Sequence, residues 1–204
     1  MLTGMGHDTR SLDRADVTAT LATTLDALEA AGTRVPYRVC GTAAALLQGV
    51  PLPAGDIDIL LAGRDDLRAF AAALSSFPCP HAASWMPASA QFFTRYVVNG
   101  VEVELSTVER QTDSDALECV GAGPWRHHVL IACGSHQVPA VRLELRLATE
   151  LLRDRPDRSD PLIAHLGAYG FDRALLGRAM DACQIPGHRR RPVLERLARP
   201  AAGG

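Results

Sequence analysis

Two short segments alternate acids with apolar residues: Asp56-Ile57-Asp58-Ile59 and Val101-Glu102-Val103-Glu104-Leu105. In an extended chain, side chains two apart share a face, so each segment presents two carboxylates on one side and apolar groups on the other. Should the two strands be neighbours with those faces matched, up to four carboxylates cluster. Like charges opposite one another destabilise a sheet by roughly 0.2–1 kcal/mol per pair. A divalent cation reverses that sign, because carboxylates with phosphates and water are how Mg2+ is held. The other reading is a pair of amphipathic strands with solvated outer faces, which show the same alternation. Glu102 and Glu104 fit that reading well. Asp56 and Asp58 fit it poorly, since aspartate is disfavoured in strands and local rules tend to be broken at functional sites.

Fifteen residues before Asp56, an apolar run ending at Cys40 meets Gly41-Thr42 and a small-residue helix, Ala43 to Gln48. Backbone N–H groups at such a junction suit an anion, and glycine lets a phosphate approach the backbone. An ordinary N-capping threonine gives the same pattern.

These segments need elements to hold them. Ser11 reads as the start of an amphipathic helix with Leu21, Leu25 and Leu28 on one stripe and Gly32 as its stop. Residues 1–10 read as a frayed terminus. Val35 to Cys40 is a strand, 49–55 an irregular loop punctuated by proline and glycine, Asp56 to Leu61 a strand, and 64–75 a helix. Asn99-Gly100 joins two β-rich runs, Gln91 to Val98 and Val101 to Thr107, as a hairpin. A strand is expected over His128 to Cys133, and helices over 141–153, 159–168, 171–183 and 190–198. The expected architecture is α/β (α+β): a mixed-sheet core over 11–140 followed by a helical region over 141–200.

Composition narrows the chemistry. All 21 basic residues are arginine, which removes pyridoxal Schiff bases, lysine-dependent decarboxylation and the lysine of a Walker A loop. A formal net charge of -2 argues against a general grip on nucleic acid. The five cysteines form no C-x-x-C pair, and no run approaches the length of a membrane span. Reduced thiols in the cytoplasm are the simplest expectation.

In order along the chain stand Cys40-Gly41-Thr42, a gap of thirteen residues, Asp56-Ile57-Asp58, and Val103-Glu104-Leu105 on a hairpin strand. This series resembles the nucleotidyltransferase superfamily with the DNA polymerase β-like fold, over about residues 34–107 and more weakly over 143–166. The resemblance implies two-metal phosphoryl transfer. Asp56 and Asp58 would ligate Mg2+ carried in with ATP or another nucleoside triphosphate. Glu104 would complete the second metal site and accept a proton from the attacking hydroxyl. Gly41 and Thr42 would cradle the β- and γ-phosphates. The implied product is a nucleotidylated small-molecule hydroxyl, with members that modify aminoglycoside or lincosamide antibiotics as the functional analogy. The alternative is a degenerate member that binds nucleotide or a partner protein, as a regulatory or toxin–antitoxin component.

The sequence departs from the family pattern at three points. Thr42 replaces Gly or Ser, Glu104 replaces the commoner Asp, and Glu150 stands where many small members carry a lysine. Arg142, Arg146 and Arg153 lie along one helical face and could substitute for that lysine. The plainer expectation for them is a solvated stripe with an Arg146–Glu150 pair contributing ~0.3–0.5 kcal/mol. His127 and His128 read as surface or half-buried, Trp85 and Trp125 as packing residues, and His188 to Arg191 as a solvated basic run.

Overall fold

A computed structural model describes residues 11–107 and 125–198. The expected frayed segment 1–10 and Cys119 lie outside the described residues. The first helix begins later than Ser11: α1 spans Arg14–Ala30, because Asp13 and Asp16 form a reciprocal capping box at its start. Leu12 instead makes an isolated bridge to Ala54.

Seven strands form one mixed sheet. They are β1 (Tyr37–Cys40), β2 (Asp56–Leu61), β3 (His81–Met86), β4 (Gln91–Val98), β5 (Val101–Thr107), β6 (His128–Cys133) and β7 (His136–Val141). Their order across the sheet is β3-β4-β5-β2-β1-β7-β6. β2 runs parallel to β5, and β1 parallel to β7; the other neighbours are antiparallel.

Two of these strands escape the sequence pattern. β3 is an edge strand of partly exposed residues, so it lacks the in–out alternation that marks a half-buried strand. β7 contains Pro139, which breaks the strand signal in the sequence; β7 lies between β1 and β6 but pairs in register with β1 only at Ala140 opposite Val39. Val141, expected to open a helix, closes β7 instead.

The remaining helices are α2 (Gly41–Leu47), α3 (Arg64–Ala73), α4 (Leu143–Leu152), α5 (Pro156–Tyr169), α6 (Arg173–Ala182) and α7 (Gly187–Ala198). α1, α2 and α3 pack together and against the sheet. Val39, Ile57, Ile59, Leu61, Val103 and Leu105 point to that side and are fully buried. Tyr37 meets Phe70 of α3 edge-on at 6.0 Å. The alternate residues of β2 and β5 carry the acids on the opposite face.

The helices after β7 pack on one another, α4 against α5 and α6, and α5 against α7. Every residue from Leu143 to Leu151 is buried. The expected solvated arginine stripe survives only at its ends, with Arg142 half-buried and Arg153 exposed, whereas Arg146 and Glu150 pair inside this bundle, 2% and 0% exposed. A helix packed on all sides leaves its polar residues no solvated face. The run His188 to Arg191 is also more than a solvated end. Arg189 donates to Leu151 O at 2.7 Å and to Asp154 at 2.6 Å, and Arg190 binds Asp181 and the carbonyls of Met180 and Ile185. Both arginines tie α7 to the preceding helix ends.

Candidate active site

Register brings the acids together. Asp56 stands beside Glu102 and Asp58 beside Glu104 across the parallel β2–β5 pair. All four side chains share one face, since parallel neighbours in register point the same way. All four are half-buried. Burial and the adjacent Glu102 carboxylate raise the pKa of Asp56, while Arg95 and Arg158 pull it down. Glu104 is likewise raised by burial and by Asp56, against the opposing pull of Arg95. Both shifts come first from burial and second from the neighbouring carboxylate, with Arg95 partly offsetting them.

Arg95 carries much of that offset, and the sequence reading missed it. It lies on β4 directly across from Glu104, donates to Glu104 Oε1 at 2.5 Å, and stands 3.2 Å from Glu102 Oε2. Hairpin arithmetic could have found it. A two-residue turn at Asn99-Gly100 pairs Val98 with Val101, and counting back three places puts Arg95 opposite Glu104. Arg158 of α5 is the second cation, 3.6 Å from Glu150 Oε1. It reaches the acids only through tertiary packing, so no local sequence signal marks it.

Gly41 opens α2 directly after Cys40, whose register partner is Asp58. Its φ is +67°, and a Cβ there would fall 1.9 Å from Asp58 Oδ2. Glycine is thus required twice, by the backbone and by the carboxylate against it. Gly41→Ala should cost about 1–2 kcal/mol from the left-handed backbone alone. It should also displace Asp58. Chemical denaturation reads the first effect, and cation affinity the second. Thr42 is buried beside Gly41.

The raised carboxylates fix a pH dependence. Asp56 and Glu104 hold protons more tightly folded than unfolded. Their contribution to stability is therefore full below the unfolded carboxylate values and is lost as pH rises through the raised folded ones. Asp56→Asn should melt above wild type at pH 7 in the absence of cations, and the gap should close below about pH 4. Melting curves across that range check it.

The other singled-out residues lie elsewhere. Trp85 is not a core residue: it is 41% exposed on the edge strand β3, with the Arg64 guanidinium 5.2 Å from its ring centre. Trp125 is buried, His127 is half-buried and His128 exposed. A donor set that the sequence did not suggest joins Asp26 and Glu29 of α1 to His136 of β7, with ligand atoms within 4.8 Å of one another. His136 Nε2 and Asp26 Oδ1 are 2.7 Å apart.

Asp56, Asp58 and Glu104 are hard oxygen donors on one face, the donor type that Mg2+ takes, but among the described residues the only group of three whose ligand atoms lie within 4.8 Å of one another is Asp26, Glu29 and His136. For Asp56, Asp58 and Glu104 to hold a cation together their carboxylates must converge further, with Glu104 released from Arg95, while Asp58 is already packed against Gly41. Among the described residues, no helix is long and apolar enough to cross a membrane.

No protein-family model matches the sequence, and no curated protein matches it. Solved structures do match the fold. A candidate nucleotidyltransferase from Thermotoga maritima superposes with a TM-score of 0.54 at 18% identity, covering 78% of this chain and 98% of that one. A nucleotidyltransferase-like protein from Paracoccidioides brasiliensis gives 0.49 at 17% identity, covering 92% and 93%.

Proposed function

Because the chain has the nucleotidyltransferase fold, we propose that it transfers a nucleoside monophosphate, AMP from ATP in the first instance, to a hydroxyl of a small molecule. The observation that carries this reading is the in-register pairing of Asp58 with Glu104, with Gly41 closed against Asp58. Asp56, Asp58 and Glu104 are the residues that would hold Mg2+. When bound, that cation supplies charge neutralisation at the phosphates and lowers the pKa of the attacking hydroxyl.

The chain's own groups do the rest. Glu104, on the same face as Asp58, accepts the proton of the acceptor hydroxyl. The hydroxyl O–H bond breaks, a bond forms from that oxygen to the α-phosphorus, and the bond to the departing pyrophosphate breaks. Gly41 and Thr42, at the start of α2, are the residues that would hold the outer phosphates. Arg158, anchored by Glu150 and acting on Asp56, supplies the positive charge that a lysine-free chain must draw from arginine. Arg95, which pairs with Glu102 and Glu104, is a guanidinium on this face that could also meet a phosphate oxygen.

A cytoplasmic setting is part of this reading, in keeping with Cys40, Cys79, Cys133 and Cys183 forming no disulfide. The experiment is pyrophosphate release with Mg2+, each of the four nucleoside triphosphates and a panel of hydroxyl-bearing acceptors. Pyrophosphate matched mole for mole by a nucleotidylated acceptor supports the reading. Tight nucleotide binding without turnover across the panel contradicts it.

A further inference from the structure

Arg38 lies on β1 two residues before Cys40, beside Leu60 of β2. It therefore faces the same side of the sheet as the acids. Its side chain is fully buried. One nitrogen, Nη1, donates to the carbonyl of Arg126 at 2.9 Å, while Nε and Nη2 are buried without a partner. A guanidinium cannot shed its proton, so the charge persists there. A buried charge is retained when something pairs with it.

Nε and Nη2 form one edge of the guanidinium, the edge that engages two oxygens of a carboxylate or phosphate side by side. Arg38 lines a cavity of about 300 Å3, at the small end of the range for ligand sites. Its other walls include Trp125, Leu130, Pro139 and His128. His128 Nδ1 is engaged by the Trp125 carbonyl at 3.0 Å. Leu130 is 59% exposed, an apolar group held at the surface beside a buried cation.

We propose that this cavity binds a small oxyanion with a flat apolar body, its carboxylate or phosphate bridging Nε and Nη2 of Arg38 and its body against Trp125 and Leu130. Such binding needs neither nucleotide nor divalent cation, so it stands or falls apart from the transfer reaction.

The test uses the full chain carrying Trp85→Phe, which leaves Trp125 as the only tryptophan. Benzoate, phenyl phosphate, acetate, inorganic phosphate and neutral benzyl alcohol are titrated against its fluorescence and by calorimetry. The expected result is saturable binding of benzoate or phenyl phosphate, at least about tenfold tighter than acetate, inorganic phosphate and benzyl alcohol. The tighter of the two assigns the carboxylate or the phosphate source. Arg38→Met should abolish the response. Leu130→Glu, at an exposed position that leaves the core intact, should weaken it at least about tenfold by offering Arg38 a competing carboxylate. Asp58→Asn should leave it unchanged. The proposal is overturned by no saturable response to any probe, by benzyl alcohol binding as well as benzoate, by the small anions binding as tightly as the aromatic ones, by Leu130→Glu without effect, or by binding that Asp58→Asn removes.

Discussion

Asp58→Asn is expected to cut pyrophosphate release by about 10²-fold or more, the loss seen when a charge-stabilising group leaves a reaction centre, while the protein stays folded. Asp58 is the acid most tightly held by the fold. It stands between Cys40 and Glu104 in register, and its Oδ2 fills the space that any side chain at position 41 would need. Asparagine keeps the shape and removes the charge. Glu102→Gln is the informative comparison, since Glu102 shares the face but stands beside Asp56, is 39% exposed, and already has Arg95 as a partner. Its loss should be much the smaller. Kinetics on both variants, with circular dichroism to verify folding, check the expectation. Equal losses would mean that the face acts as a diffuse negative patch rather than through Asp58.

The second large effect concerns stability. Glu150→Ala removes the carboxylate that pairs with Arg146 inside the helical bundle, where both side chains are almost wholly buried. Removing one partner of a buried pair costs about 3–5 kcal/mol, because the other charge stays behind. For a chain of this size that is a fall in Tm of roughly 10 °C. The double variant Arg146→Met with Glu150→Leu should recover most of the loss, since a packed apolar pair can match a buried ionic one. Glu150→Ala also releases Arg158 from its anchor, so a nucleotide should bind more weakly to whatever protein remains folded. Urea unfolding of the three proteins reads the first effect, and a loss under about 1 kcal/mol, the range of solvated pairs, would contradict the buried geometry.

What the sequence made legible follows from how local each signal is. The acids could be placed on one face from alternation alone, and the hairpin from Asn99-Gly100, because a strand period and a two-residue turn are properties of neighbouring residues. Gly41 could be singled out by its junction, though the close approach of Asp58 Oδ2 that excludes a Cβ there depends on two strands at once. β3 and β7 were hidden because neither shows a buried stripe: one is a ragged edge and the other carries a proline. The environment of Arg146 and Glu150 was misread for a related reason. Spacing at i, i+4 predicts that two charges meet, but only the packing of α5 and α6 against α4 decides whether they meet in water. Arg158 and Arg38 depend on the same kind of distant packing. Their roles emerge from which charges the fold leaves uncompensated.

Nucleotide-dependent melting decides whether Asp56, Asp58 and Glu104 act together on a cation-bound nucleotide. With Mg2+ present, at least one of ATP, GTP, CTP or UTP at a hundred times its dissociation constant should stabilise the wild-type fold by about 2.7 kcal/mol. The same nucleotide should have little effect without the cation or in Asp58→Asn. A wild-type protein whose melting ignores all four nucleotides with Mg2+ would contradict the account, as would a shift of equal size in Asp58→Asn.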